Sequence, residues 1–397
     1  MLLNYCFRII PIIILATIPS INDVFINFGG KSICINNILY LYLFFHITIS
    51  VISLKKIYVH KVILIFSFFY LYAFVVGLRY CIANDIDLRL EYTIHIFLML
   101  YVLLYFSLLS KHETYLFWKV FYFISFILVF VVFIQFILYK LTGVFISFVE
   151  RSQEYRPAAF FSEPAHYSML MVLVHLSLLL KLDPLYIKKG IRILISTLIS
   201  ISLLLSSSSS GMIYVLFVWG LWILKEKSVS LSLKLFFLVI LSLVFTCMFI
   251  FTDELSTAYE HFMSTDFSSI TSGSFRIARG FDLFSTLSFT EKLFGIGCGS
   301  IDNYIISSNF ISIYDNYENI HSNYVSALSS FLLEGGALGT FVFVVSIVLL
   351  LYKNKFHNAS LLIMFFLLIL SNEIIYTPQI YYSIGIFILI YRERQYF

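Results

Sequence analysis

Charge is scarce in this chain: Asp, Glu, Lys and Arg make up only 12% of its 397 residues, while 60% are hydrophobic. Soluble domains carry about 25% charged residues. No water-soluble core of this length could enclose so much apolar surface, which excludes a soluble globular protein. The five cysteines (Cys6, Cys34, Cys81, Cys247 and Cys298) show no metal-ligand spacing and no CxxC pair. That argues against a disulfide framework or a metal site. No GxxxxGK(S/T) phosphate loop occurs, and the gaps on one side are too short for a nucleotide-binding domain, so ATP-driven chemistry within the chain is not expected. The net charge of +4 is too modest to suggest a nucleic-acid partner. Arg8 ahead of Ile9–Ile18 resembles the start of a secretory signal, but no small-residue cleavage site follows. The run is therefore read as a first membrane span.

What the chain does have is long apolar runs separated by short polar gaps. A hydrocarbon core of about 30 Å needs about 20 helical residues. On that ruler the expected fold is an all-α polytopic integral membrane protein, a single membrane domain over 1–397. Twelve spans are expected, at 5–21, 36–54, 62–78, 92–110, 117–139, 166–182, 191–206, 211–225, 234–252, 325–352, 358–374 and 378–391. The count runs from eleven to thirteen, because Ser206–Gly211 reads either as a tight outer turn or as a kink within one apolar region. Assigning the gaps to alternate sides puts thirteen of the sixteen lysines on one face and six of the ten arginines on the other. By the positive-inside rule the lysine-rich face and both termini are cytoplasmic. The outer arginines are Arg79, Arg89, Arg151, Arg156, Arg276 and Arg279, and four of them fall in the two longest polar segments, 141–165 and 252–324. The planar guanidinium fork grips phosphate and carboxylate, so the outer face is expected to handle an anion.

Four constellations carry the chemistry. In the first, Arg151, Glu154 and Arg156 lead through Ser162-Glu163-Pro164 to His166 at the mouth of the sixth span. Ser162 suits an N-cap and Pro164 a first helical turn, and an anion is stabilised at such a helix end. The plainer reading is a solvated loop whose Arg and Glu pair with each other. In the second, Arg276 and Arg279 share a face at i,i+3 of a short interfacial helix, with Phe275, Ala278, Phe281 and Leu283 dipping into lipid. Alternatively these arginines merely meet headgroups. The third is Gly295-Ile-Gly297-Cys-Gly299, read as a flexible loop or as a turn aiming N–H groups at an oxyanion. In the fourth, His321 precedes Ser322-Asn323, an expected cap of the tenth span, and is placed to act as a base or to donate to a phosphate. Glu334 follows inside the apolar run, where a carboxylate is costly and a functional candidate. Gly335 and Gly339 beside it form a GxxxG, more often a sign of close helix packing.

The order of Arg156-Pro…Phe-Ser-Glu163-Pro, Phe275-Arg276…Arg279 ahead of Gly295-Ile-Gly297, and His321-Ser-Asn ahead of Glu334-Gly-Gly resembles the O-antigen polymerase family (Wzy-type), of the O-antigen polymerase and ligase superfamily. Many relatives carry an arginine beside the serine run where this chain has Ser206–Gly211 without one. The resemblance implies a GT-C-like helical architecture in the bacterial inner membrane, with 141–165 and 252–324 as large periplasmic loops. It implies a metal-independent glycosyltransferase with no cofactor. Donor and acceptor would both be undecaprenyl-diphosphate-linked oligosaccharides, with membrane lipid around them and a chain-length regulator protein as partner. On that footing His321, Arg276 and Arg279 are catalytic. Arg156, Glu163, Arg151, His166 and Glu334 bind substrate, while Tyr155, Tyr304, Tyr314 and Tyr317 offer stacking faces for sugar rings. The rival readings are an O-antigen ligase, which differs by acceptor, and a lipid-linked oligosaccharide flippase or other transporter. A transporter is expected to show an internal repeat and charges at mid-membrane depth, whereas this sequence shows no convincing repeat and gathers its charges in the outer loops.

Overall fold

The computed structural model describes residues 2–21, 25–28, 31–53, 59–84, 90–146, 156–225 except Ser207, a few positions between 230 and 243, 273–312, 325–353, 368–369 and 378–395. Almost everything described is helical. Among the described residues, four helices are long and apolar enough to cross a membrane: Ile35–Ile52, Lys61–Asn84, Lys111–Thr142 and Ala327–Leu349. Shorter apolar helices accompany them. Large apolar side chains on these helices face outward, among them Phe45, Phe68, Phe123 and Phe341, each more than 60% exposed. Polar side chains such as Gln135, His175 and Glu334 are buried. Water would not tolerate so much outward apolar surface, and these helices mark a membrane-embedded protein. The expected ninth and eleventh spans fall mainly outside the described residues.

The chain forms two compact units. The first comprises residues 1–46 and 109–263. It contains α1 (Leu2–Thr17), an antiparallel ribbon of β1 (Phe25–Phe28) and β2 (Lys31–Cys34), and most of α2 (Ile35–Ser53). It also contains α5 (Lys111–Thr142), α6 (Pro164–Leu179), α7 (Lys189–Leu205) and α8 (Ser209–Lys225). The ribbon stands where the sequence suggested only an outer gap. Helix α7 ends at Leu205 and α8 begins at Ser209, and the two pack against each other, so they are two helices and not one with a kink. Gly211 lets α8 approach α6, since a Cβ there would lie 2.7 Å from Ser168 Oγ.

The junction between α6 and α7 is held by one saturated guanidinium. Arg192 donates from Nη1 and Nη2 to the two oxygens of Asp183 (2.6 and 3.0 Å). Its remaining bonds reach the carbonyls of Leu178, Leu185 and Ile187. These use all five N–H donors. Tyr122 of α5 adds a bond to Asp183 Oδ2 (2.8 Å). Both charges are buried, and removing one partner of a buried pair costs about 3–5 kcal/mol. Arg192→Ala is therefore expected to lower the thermal midpoint of the detergent-solubilised protein sharply, and Arg192→Lys to lower it less. An unchanged midpoint in Arg192→Ala would show the clasp to be dispensable.

The second unit comprises 47–108 and 264–397. It contains α3 (Lys61–Asn84), α4 (Leu90–Leu108), α9 (Gly273–Thr286), α10 (Phe289–Phe294), α11 (Ile301–Ser307), α12 (Ala327–Lys353) and α13 (Pro378–Gln395). Helix α13 packs on α4 through Gly385, over which Phe106 lies. Helix α12 packs on α3 and is broken at Gly336, whose φ is 63° and ψ −179°. An aromatic cluster spans the break: Phe331 before it and Phe343 after it stack at 4.9 Å, and Phe69 of α3 lies 5.0 and 5.1 Å from them. Gly335 and Gly339 face Phe69 and Tyr72, so this GxxxG is a packing surface.

Candidate substrate site

In the second unit, Arg276 and Arg279 lie on α9, and both are buried, at 6% and 1% exposure. Helix α9 docks on the start of α12. Gly280 makes the approach close, because a Cβ there would meet Ser329 at 2.2 Å. The Arg276 carbonyl accepts the Ser326 N–H (3.3 Å). Ser326 Oγ accepts the Ser329 N–H (3.1 Å) and so caps α12, a few residues later than the expected Ser322 or Asn323. The Arg279 guanidinium sits over the Phe310 ring at 5.9 Å. Leu283 faces a core made with Leu287, Ile296, Ile301, Ile305, Phe310, Val325 and Leu333, and does not dip outward as the sequence suggested. Docking on α12 has turned the arginine face of α9 inward, while Phe281 remains half exposed. Two buried arginines on the helix that docks against α12 bring guanidinium groups, which bind anions through paired N–H donors, into one part of the second unit.

The glycine segment 295–299 is neither a free loop nor an oxyanion cradle. Its N–H groups are committed to the protein. Gly295 donates to Glu291, Ile296 to Leu333, Gly297 to Glu334 and Cys298 to Ala73, all at backbone carbonyls, over 2.7–3.1 Å. Gly299 donates to Glu334 Oε1 (3.2 Å). A helix interrupted at Gly336 leaves carbonyls without their intrahelical partners, and the loop supplies N–H groups to two of them. Thr340 Oγ1 serves a third, at Phe331 (2.9 Å). Glu334, expected to bind substrate, here anchors the loop across the break. Tyr72 donates to the Phe294 carbonyl (2.8 Å) and ties the same loop to α3. Burial, then the nearby Glu334, pushes the Cys298 thiol up, so it supplies no thiolate nucleophile. The Tyr304 hydroxyl donates to the Thr286 carbonyl (3.3 Å).

In the first unit, Glu163 is the N-cap of α6 with Pro164 at the first helical position, and its side chain makes no capping bond. The cap falls one residue after the expected Ser162, because Pro164 fixes where the helix begins. Glu163 is exposed and His166 half-buried, its N–H donating to the Glu163 carbonyl (3.2 Å). Arg156 is half-buried. It opens a segment that turns into the unit: Ala158, Ala159 and Phe161 have no exposure at all. Gln135 of α5 holds that segment, and it is absent from the residues that sequence patterns single out. A lone amide within an apolar run is the only signal it leaves there.

Arg156, Glu163 and His166 thus belong to the first unit, and Arg276, Arg279 and Glu334 to the second. His321, Arg151, Tyr155, Tyr314 and Tyr317 lie outside the described residues. Compared with models of known protein families and with curated proteins, the chain matches none.

Proposed function

We propose that this protein is an O-antigen polymerase of the bacterial inner membrane, working on its periplasmic face. The observation that carries the reading is the pair of buried arginines, Arg276 and Arg279, on the helix that docks against α12. A guanidinium withdrawn from bulk water interacts with phosphate more strongly than an exposed one, because screening is weaker there. In a chain this poor in charge, that arrangement suits a lipid-borne diphosphate.

The proposed step is glycosyl transfer between two undecaprenyl-diphosphate-linked glycans. An acceptor hydroxyl oxygen attacks the anomeric carbon of the growing chain. The bond from that carbon to the phosphate oxygen breaks, and the diphosphate leaves on its lipid carrier with the electron pair. The hydroxyl proton passes to His321. Arg276 and Arg279 stabilise the departing charge, as donors aimed at developing charge do. Arg156, Glu163 and His166 orient sugar or phosphate at the mouth of α6. The lipopolysaccharide of a deletion strain tests the reading. A core carrying one repeat, with the ladder restored by the wild-type gene, is the result expected. Bare core would instead mean a ligase, and an unchanged ladder would reject both.

A further inference from the structure

Gln135 lies near the C-terminal end of α5, in an apolar run, and is only 1% exposed. Its side-chain amide is fully engaged with one stretch of backbone. Oε1 accepts the N–H groups of Ala158 (3.2 Å) and Ala159 (2.9 Å). Nε2 donates to the carbonyls of Ile146 (3.0 Å) and Ala159 (3.3 Å). One amide therefore grips the chain where it leaves α5 and again where it returns towards α6. The returning segment needs such a grip. Ala159 has φ of 50°, a region that a residue with a Cβ enters only at a cost of about 1–3 kcal/mol unless its surroundings enforce it. Pro157 has no N–H, so the first donors after Arg156 are the two that Gln135 accepts. The turn closes with Phe161 N–H on the Ala158 carbonyl (3.0 Å). It then docks by setting the Phe161 ring against Tyr167, at 6.1 Å.

We infer that Gln135 is the positioning residue for the mouth of α6: it fixes the Arg156–Phe161 turn and thereby the placement of Arg156 and Glu163. The inference rests on the functional reading above for what those side chains do, but its geometry stands apart from that reading. Neither a carboxylate nor a hydrocarbon replaces the amide. A carboxylate accepts from Ala158 and Ala159 but offers nothing to the two carbonyls; a leucine offers neither.

The test uses the full-length protein in a strain deleted for the native gene, with two readouts. One is the reaction of Ser162→Cys with a membrane-impermeant maleimide, against a background without that change. The other is the lipopolysaccharide ladder, normalised to the amount of protein in the membrane. Gln135→Leu is expected to change the labelling rate at position 162 and to cut long-chain material roughly tenfold, the scale set by losing buried amide bonds. Arg156→Ala should cut the ladder and leave the labelling rate alone. Gln135→Glu adds a signature that a space-filling role would lack. Raising the pH of the medium ionises the new carboxyl, at a pH that burial shifts upward, and removes its one donor, so its ladder should shorten across a rising pH series while those of the wild type and Gln135→Leu do not. Wild-type labelling and ladder in Gln135→Leu, or no pH response in Gln135→Glu, would overturn the inference. Altered labelling in Gln135→Leu with a normal ladder in Arg156→Ala would uphold the positioning and overturn the role given to Arg156.

Discussion

Gly336→Ala is expected to prevent the protein from accumulating in the membrane. Two costs combine at this position. A φ of 63° with ψ near 180° is essentially a glycine conformation, and forcing an alanine into it costs about 1–3 kcal/mol. The new Cβ would also stand 2.4 Å from the Gly295 nitrogen and 2.5 Å from the Leu293 carbonyl oxygen. Those are backbone atoms of a loop already bonded to α12 and α3, so they have nowhere to move. Overpacking of this kind costs about another 1–3 kcal/mol, and total stabilities are only about 5–15 kcal/mol. Two controls separate the terms. Gly143 has φ of 68° and ψ of 0°, a milder left-handed conformation than that of Gly336, with open space around it, so Gly143→Ala reports left-handed strain without a clash. Gly190 has neither strain nor a neighbour within 4 Å, and Gly190→Ala should be neutral or slightly stabilising. The measurement is the membrane yield and thermal midpoint of the wild type and the three variants. A Gly336→Ala protein as stable as Gly143→Ala would show that the loop does not clip the broken helix.

The break also shows where the sequence stops being informative. Apolar runs locate the described helices but miss some ends by about six residues: 62–78 is expected where α3 covers Lys61–Asn84, 117–139 where α5 covers Lys111–Thr142, and 211–225 where α8 covers Ser209–Lys225. Helix ends follow from local chemistry, and the expected α6 cap is only one residue away from the observed one beside Pro164. Gly335-Gly336 is different. In an apolar run a glycine pair fits both a packing face and a break, and here it serves both, with Gly335 against Phe69 and Gly336 in the left-handed region. The glycine loop at 295–299 is opaque for a related reason. Its partners are the carbonyls of Leu333, Glu334 and Ala73, which no local pattern encodes. The burial of Arg279 cannot be read from i,i+3 spacing, which shows that two arginines share a face and not which way that face turns. Gln135 is legible in principle as a polar residue in an apolar span, but only its bonds to the backbone of Ile146, Ala158 and Ala159 show its use.

The second large effect is functional. Arg279→Ala is expected to abolish long-chain lipopolysaccharide while single-repeat material persists, and Arg276→Ala to do nearly the same. A hydrogen bond to a charged group is worth about 1.5–3 kcal/mol, and removing a two-pronged grip on the transition state corresponds to roughly a hundredfold or more in rate. Lysine at either position keeps the charge and loses the fork, so Arg276→Lys and Arg279→Lys should fall between alanine and wild type. Because Arg279 is buried over Phe310, the ladder must be compared at matched protein levels in the membrane. A full ladder in Arg276→Ala, Arg279→Ala and the double variant would remove the arginines from the chemistry.

All of this depends on the arginine-bearing helix α9 facing the extracytoplasmic side. Ser285, on the same helix and exposed to solvent, reports that directly when changed to cysteine and challenged with an impermeant thiol reagent in intact spheroplasts. Labelling before permeabilisation, at a rate well above the background of the native cysteines, is the result predicted. Labelling that appears only after the membrane is opened would put Arg276 and Arg279 on the cytoplasmic side and contradict the proposed chemistry at its root.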